Sequence, residues 1–97
     1  MNLGLAIKSI RKQKGLKQNQ FAELCDITQA YLSQIENNNK EPNLSTLKTI
    51  SNKLETPLPI LFFLSIDSYD ISPEKEDAFN IIAPSVKSLI NQFFITQ

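Results

Sequence analysis

Apolar side chains recur at helical spacing from the start of the chain. Leu3, Ile7 and Ile10 stand at i, i+4 and i+7, with lysines and Arg11 on the other faces, which predicts a helix over 3–14. Gly15 follows it, and Lys12 and Lys14 fall in its last turn, where cations suit the helix dipole. A short second helix over 18–25 is expected to turn Phe21, Leu24 and Cys25 inward, with Ala22 small enough to admit a neighbouring helix. Cys25-Asp26-Ile27 reads as a tight turn. Thr28 is a suitable N-cap for a third helix over 28–37, with Leu32 and Ile35 inward. Asn37 to Pro42 is a loop, and Asn43-Leu44-Ser45 opens a fourth helix whose buried stripe is Leu44, Leu47, Ile50 and Leu54. Thr56-Pro57 begins a short fifth helix with Leu58, Leu61 and Phe62 inward, since proline is tolerated in a first turn.

Ser65 to Tyr69 reads as a linker or extended segment. Ser72-Pro73-Glu74 then combines an N-cap, a first-turn proline and an acid. From there Phe79, Ile82, Val86, Leu89 and Phe93 recur as a sustained apolar stripe. Pro84 interrupts it. A kink, or two helices meeting there, is expected, because interior proline costs on the order of 3 kcal/mol.

Composition narrows the chemistry. The 97 residues amount to one domain, and 41% apolar content is enough for a small core. There is no histidine, one cysteine (Cys25) and only two glycines, Gly4 and Gly15. The commonest general base and metal ligand are therefore missing, a zinc site is close to excluded, and no glycine-rich phosphate loop can form. No catalysis, metal or cofactor is expected. A single cysteine permits no internal disulfide and fits a reducing compartment. No signal peptide opens the chain, and its longest apolar run, 57–65, is too short to cross a bilayer. A cytoplasmic, nucleoid-associated protein without a membrane partner is expected.

Net charge is zero and the isoelectric point about 6.2, which by themselves argue against nucleic acid. The distribution argues otherwise. Residues 1–56 carry eight basic and five acidic side chains, while 57–97 carry two basic and five acidic ones. A basic front with an acidic rear suits a phosphate-facing domain backed by a separate module.

Two short helices joined by a tight turn, followed by more helix, form a helix-turn-helix unit. The spaced set Gly15-Leu16-Lys17-Gln18, Phe21-Ala22, Ile27-Thr28-Gln29, Tyr31 to Asn37, Pro42, Leu44 and Leu47 resembles the phage Cro and repressor-type (XRE-like) family over about residues 3–64. That resemblance implies an all-α protein. A five-helix lambda-repressor-like DNA-binding domain would occupy residues 1–64. The resemblance ends there, and it is the apolar stripe that makes residues 65–97 a linker and C-terminal dimerisation helices.

The third helix would then enter the major groove, where short polar side chains reach base edges. Gln29 and Gln34 can each pair bidentately with adenine, and Ala30 can touch a thymine methyl. Tyr31 would reach a phosphate or a groove edge. The resemblance places Gln18 on a phosphate and supports Thr28 and Asn37 as further phosphate contacts. Lys40, in the loop after the reading helix, is another candidate. Arg11 and Glu36 match positions that form a structural ion pair. Two departures stand out: Asp26 sits where the family often has glycine, and Pro59, Ile60 and Phe63 add apolar surface to the fifth helix.

The rear stripe carries more apolar surface than one small chain readily hides, which suggests a homodimer interface including Phe63, Phe79, Ile82, Val86, Leu89 and Phe93. The expected function is a sequence-specific transcriptional repressor on a pseudo-palindromic double-stranded operator. The alternatives are an antitoxin-type regulator that also binds a partner protein, and a controller of restriction–modification genes.

Overall fold

The helix boundaries follow the chain's polar punctuation. The computed structural model describes residues 1–95, and these contain α1 (Leu3–Gln13), α2 (Gln18–Leu24), α3 (Gln29–Glu36), α4 (Leu44–Lys53), α5 (Leu58–Leu64) and α6 (Glu76–Ile90). Short 3-10 turns at Ser68–Asp70 and Pro73–Lys75 precede α6, and a π-turn, Asn91–Ile95, continues it. Three starts are capped by side chains that accept backbone N–H groups: Asn2 from Leu5 at 3.1 Å, Thr28 from Tyr31 at 3.0 Å and Asn43 from Thr46 at 2.8 Å. At α2 the Gln20 carbonyl oxygen accepts the Lys17 N–H at 3.1 Å.

The first four helices also share one kind of ending. Gly15, Asp26, Asn38 and Glu55 have φ of 74°, 56°, 59° and 54°, and each stands one residue past a C-cap. In each case the following N–H reaches back to the helix's last turn. The bonds run Leu16 to Arg11 O (3.1 Å), Ile27 to Ala22 O (3.0 Å), Asn39 to Gln34 O (2.8 Å) and Thr56 to Ser51 O (3.0 Å). This is the Schellman arrangement, which satisfies carbonyls that a helix end would otherwise leave bare. Asp26 thus takes the left-handed conformation its place in the turn demands.

Each helix contributes to one core. Ile7, Phe21, Leu32, Ile35, Ile50, Leu54 and Leu61 are fully buried, and Ile90 and Ile95 join them from the rear. Burial of such a side chain contributes roughly 1.5–3 kcal/mol. Contacts run α2 to α3, α1 to α3, α1 to α5 and α4 to α5, so α1 is central. Two expected core residues lie elsewhere. Leu24 is half-exposed, because Phe21, Ala22 and Cys25 form the inner face of α2. Leu44 is exposed because it opens α4 before that helix reaches the core.

The segment after α5 is held rather than extended. The Asn2 N–H donates to the Ser65 carbonyl at 2.7 Å. The Met1 ammonium pairs with Asp67 and Asp70 at 3.1 and 2.7 Å. Beyond it, α6 runs through Pro84 as one uninterrupted element, so the two helices considered above do not occur. Proline at 84 has no N–H for the Asn80 carbonyl, but both residues are exposed and water can take that role. Phe79 and Ala83 before the proline, and Val86 and Ile90 after it, are turned toward the same bundle and keep the halves aligned. Phe79 meets Phe63 of α5 with ring centroids 6.3 Å apart. Among the described residues no helix is long and apolar enough to cross a membrane.

Candidate nucleic-acid interface

A carboxylate at the end of α3 would repel phosphates and oppose that helix's own dipole. The fold neutralises it. Glu36 is buried and receives Arg11 in a bidentate pair, Nε to Oε2 at 2.7 Å and Nη2 to Oε1 at 2.9 Å. The side chains are only 6% and 1% exposed. The third guanidinium nitrogen, Nη1, donates to the Leu16 carbonyl at 2.8 Å. One cation therefore ties together α1, the turn before α2 and the end of α3. Buried pairs of this kind hold geometry because neither charge can be left alone at low cost.

The pair extends outward as a chain of side chains. Gln18, at the first position of α2, donates from Nε2 to Glu36 Oε1 at 3.1 Å. Its carbonyl oxygen accepts from Gln29 Nε2 at 3.4 Å. Gln29 is exposed at the start of α3, so the sequence Arg11–Glu36–Gln18–Gln29 leads from buried charge to an open amide. One Gln18 amide hydrogen and most of the Gln29 donors and acceptors stay available for a ligand.

The remaining candidates fall in two groups. Thr28, Ala30, Asn37 and Lys40 are exposed, while Tyr31 and Gln34 are half-buried. Thr28 accepts the Tyr31 N–H through its hydroxyl oxygen, and its own hydrogen is free to donate. Asn37 donates to Ser33 Oγ at 3.4 Å. Tyr31 packs against the core, so part of its surface belongs to the fold. Of the six side chains assigned to a rear interface, Ile82, Leu89 and Phe93 are exposed. Phe63 and Val86 pack against the chain's own core, and Phe79 is half-buried against Phe63.

One set of positioning residues escaped the sequence reading. Asn38 accepts the Gly4 N–H at 3.1 Å and donates to Asn2 Oδ1 at 2.7 Å. The end of α3 is thereby bolted to the start of α1. The approach is so close that a Cβ on Gly4 would stand 2.6 Å from the Glu36 carbonyl and 2.7 Å from Asn38 Oδ1. Only glycine fits there. The partners lie more than 30 residues apart, and an asparagine run in a loop carries no sign of a distant contact. Among the described residues, no three acidic, cysteine or histidine side chains cluster as a metal site would require.

Comparison with known proteins accords with this geometry. A helix-turn-helix family model matches residues 7–61. The immunity repressor protein of Bacillus phage phi105 is 41% identical over 54 residues, covering 56% of this chain and 38% of that protein. The ImmF control region 10 kDa protein of the same phage is 39% identical over 59 residues, covering 61% and 66%. The transcriptional regulator PuuR of Escherichia coli is 30% identical over 79 residues, covering 81% and 38%. The chain thus spans between 38% and 66% of the length of these relatives. The crystal structure of the clp gene regulator ClgR from Corynebacterium glutamicum shares the fold, with a TM-score of 0.65 and 20% identity over 94% of this chain and 88% of that one. With the two-helix unit, its buried Arg11–Glu36 tie and a family match over more than half its length, the chain belongs to the helix-turn-helix family of phage-type and XRE-like transcriptional regulators.

Proposed function

We propose that the protein is a sequence-specific regulator of transcription that binds double-stranded DNA as a homodimer and acts as a repressor. Residues 1–64 serve as a five-helix lambda-repressor-like DNA-binding domain, and residues 65–97 as linker and dimerisation module. In this reading α3 lies in the major groove of a pseudo-palindromic operator, at the nucleoid in the cytoplasm. Gln29, Ala30 and Gln34 meet base edges. Gln18, Thr28, Tyr31, Asn37 and Lys40 meet phosphates and fix the register. The observation that carries the reading is the open Gln29 amide held through Gln18 on the buried Glu36–Arg11 pair. A base-reading group needs such a rigid mount, because a loose glutamine discriminates poorly. The names of the matched relatives, an immunity repressor and a transcriptional regulator, support the same reading.

The test is selection of bound duplexes from a random DNA library at one fixed salt near physiological. A two-fold site with half-sites one helical turn apart is expected. Replacing Gln29 or Gln34 by Ala should then cost about 1–3 kcal/mol and relax preference at one base pair per half-site. Binding with no sequence preference would overturn the proposal. Uniform weakening on every sequence would reduce the two glutamines to register contacts.

A further inference from the structure

Three faces can be told apart on α6 and the π-turn that continues it. Phe79, Ala83, Val86, Ile90 and Phe94 are turned into the chain's own bundle. Pro84, Lys87, Ser88 and Asn91 border a groove whose other wall is Leu5, Ser9 and Gln13 of α1. The third face is an apolar flank of Ala78, Ile81, Ile82, Ser85, Leu89 and Phe93. Here Ile81, Ile82, Leu89 and Phe93 are 76%, 57%, 55% and 75% exposed. Four large apolar side chains left open along one helix form a patch that monomeric proteins rarely present.

The order of residues on this flank points to its occupant. Ser85 is small and stands at the centre. Ile82 and Leu89 lie about one turn to either side, and beyond them come Ala78 at one end and Phe93 at the other. Read in reverse about Ser85, large side chains again face large, and the smallest terminal residue faces the largest. That is the self-complementarity a two-fold contact requires. No charged residue falls on the flank between Ala78 and Phe93, so two copies bring no like charges together. Glu76–Ile95 spans about 30 Å, and pairing along that length covers on the order of 600 Å² per copy, which reaches the range of specific interfaces.

We infer that two copies of the chain pair through this flank with their α6 helices antiparallel and crossing at Ser85, so that Ile82 of each copy packs beside Leu89 of the other. The inference rests on the homodimer reading above and adds the face, the direction and the crossing point. Phe63, Phe79 and Val86 take an indirect part, seating α6 on its own bundle.

Ser85→Cys tests the crossing in the full-length chain. At a two-fold crossing the two new thiols lie within reach of a disulfide. The native Cys25 does not compete, because it is buried and burial pushes its thiol up to about 11, the nearby Lys53 offsetting this only in part. Mild oxidation should convert S85C to a covalent dimer, while Lys87→Cys on the polar flank should stay uncrosslinked. Ile82→Glu should raise the dimer dissociation constant on the order of a hundredfold, since each interface gains two buried unpaired charges. Mixing it with Leu89→Lys should restore dimers in sedimentation, as antiparallel pairing sets Glu against Lys. A native dimer that neither crosslinks at 85 nor responds to I82E overturns this inference and leaves the homodimer reading standing. A native chain that sediments as a monomer overturns both.

Discussion

Residue by residue, the molecule is organised around charges that cannot be moved independently. Glu36 is buried at the end of a helix, where a carboxylate is doubly disfavoured, and Arg11 answers it with two hydrogen bonds. Arg11→Met or Glu36→Leu alone should cost roughly 3–5 kcal/mol in urea unfolding, because the remaining charge is stranded. The double variant should lose much less than the two single losses summed. An additive double variant would mean that the two side chains do not act as a pair. The two candidate residues were legible in the sequence as a family pattern, but their burial was not. Nor was the link from Glu36 through Gln18 to Gln29, since hydrogen bonds between residues 18 and 11 apart depend on how α2 packs on α3.

At the scale of the elements, helix endings are where local chemistry and fold agree least comfortably. Gly15 takes a positive φ at no cost, and Asp26 and Asn38 at modest cost. Glu55 has the same conformation without the short polar side chain that eases it. Glu55→Gly is therefore expected to raise stability by about 0.5–1 kcal/mol, seen as a higher urea midpoint with unchanged slope. A loss would show that the Glu55 side chain is held by something worth more than the strain. The positions of the first five helices were readable to within a residue or two, because caps, apolar period and turn residues all coincide there. Pro84 misled the reading of α6. Helix-breaking is a local penalty, whereas the helix is held by apolar residues on both sides of the proline that bury into one bundle.

For the molecule as a whole, the front and rear are joined by more than the covalent linker. The Met1 ammonium is bound by Asp70 and Asp67, and Asn2 bonds both Ser65 and Asn38. Hydrogen bonds to Asp70 and then Asp67 raise the amine above its ordinary 8.0. The Asp67 backbone N–H, followed by the ammonium, lowers Asp70 below its ordinary 3.8. The amine's contribution is present below 8.0 and is lost as pH climbs through the raised value. That of Asp70 is present above 3.8 and is lost as pH falls through the lowered value. Melting temperatures of the native chain should therefore exceed those of Asp70→Asn most clearly between these limits, with the gap closing on either side. The difference should be small, because these groups are exposed to solvent. A gap that does not vary with pH would show that the clamp contributes no charge interaction.

By itself the sequence determined the all-α class, the helix order, the turn at Asp26 and which polar side chains lie along α3. All of these depend on near neighbours: the period of apolar residues, the chemistry of caps and the spacing of polar groups on one helix. Only the tertiary structure decided which of those groups are coupled. It buried Glu36, seated Asn38 against Gly4 and Asn2, and divided the rear stripe between an inner face and an open flank. The physical reason is that a helix's period says which residues share a face. What covers that face depends on the packing of elements far apart in the chain, and α6 is apolar on two faces at once.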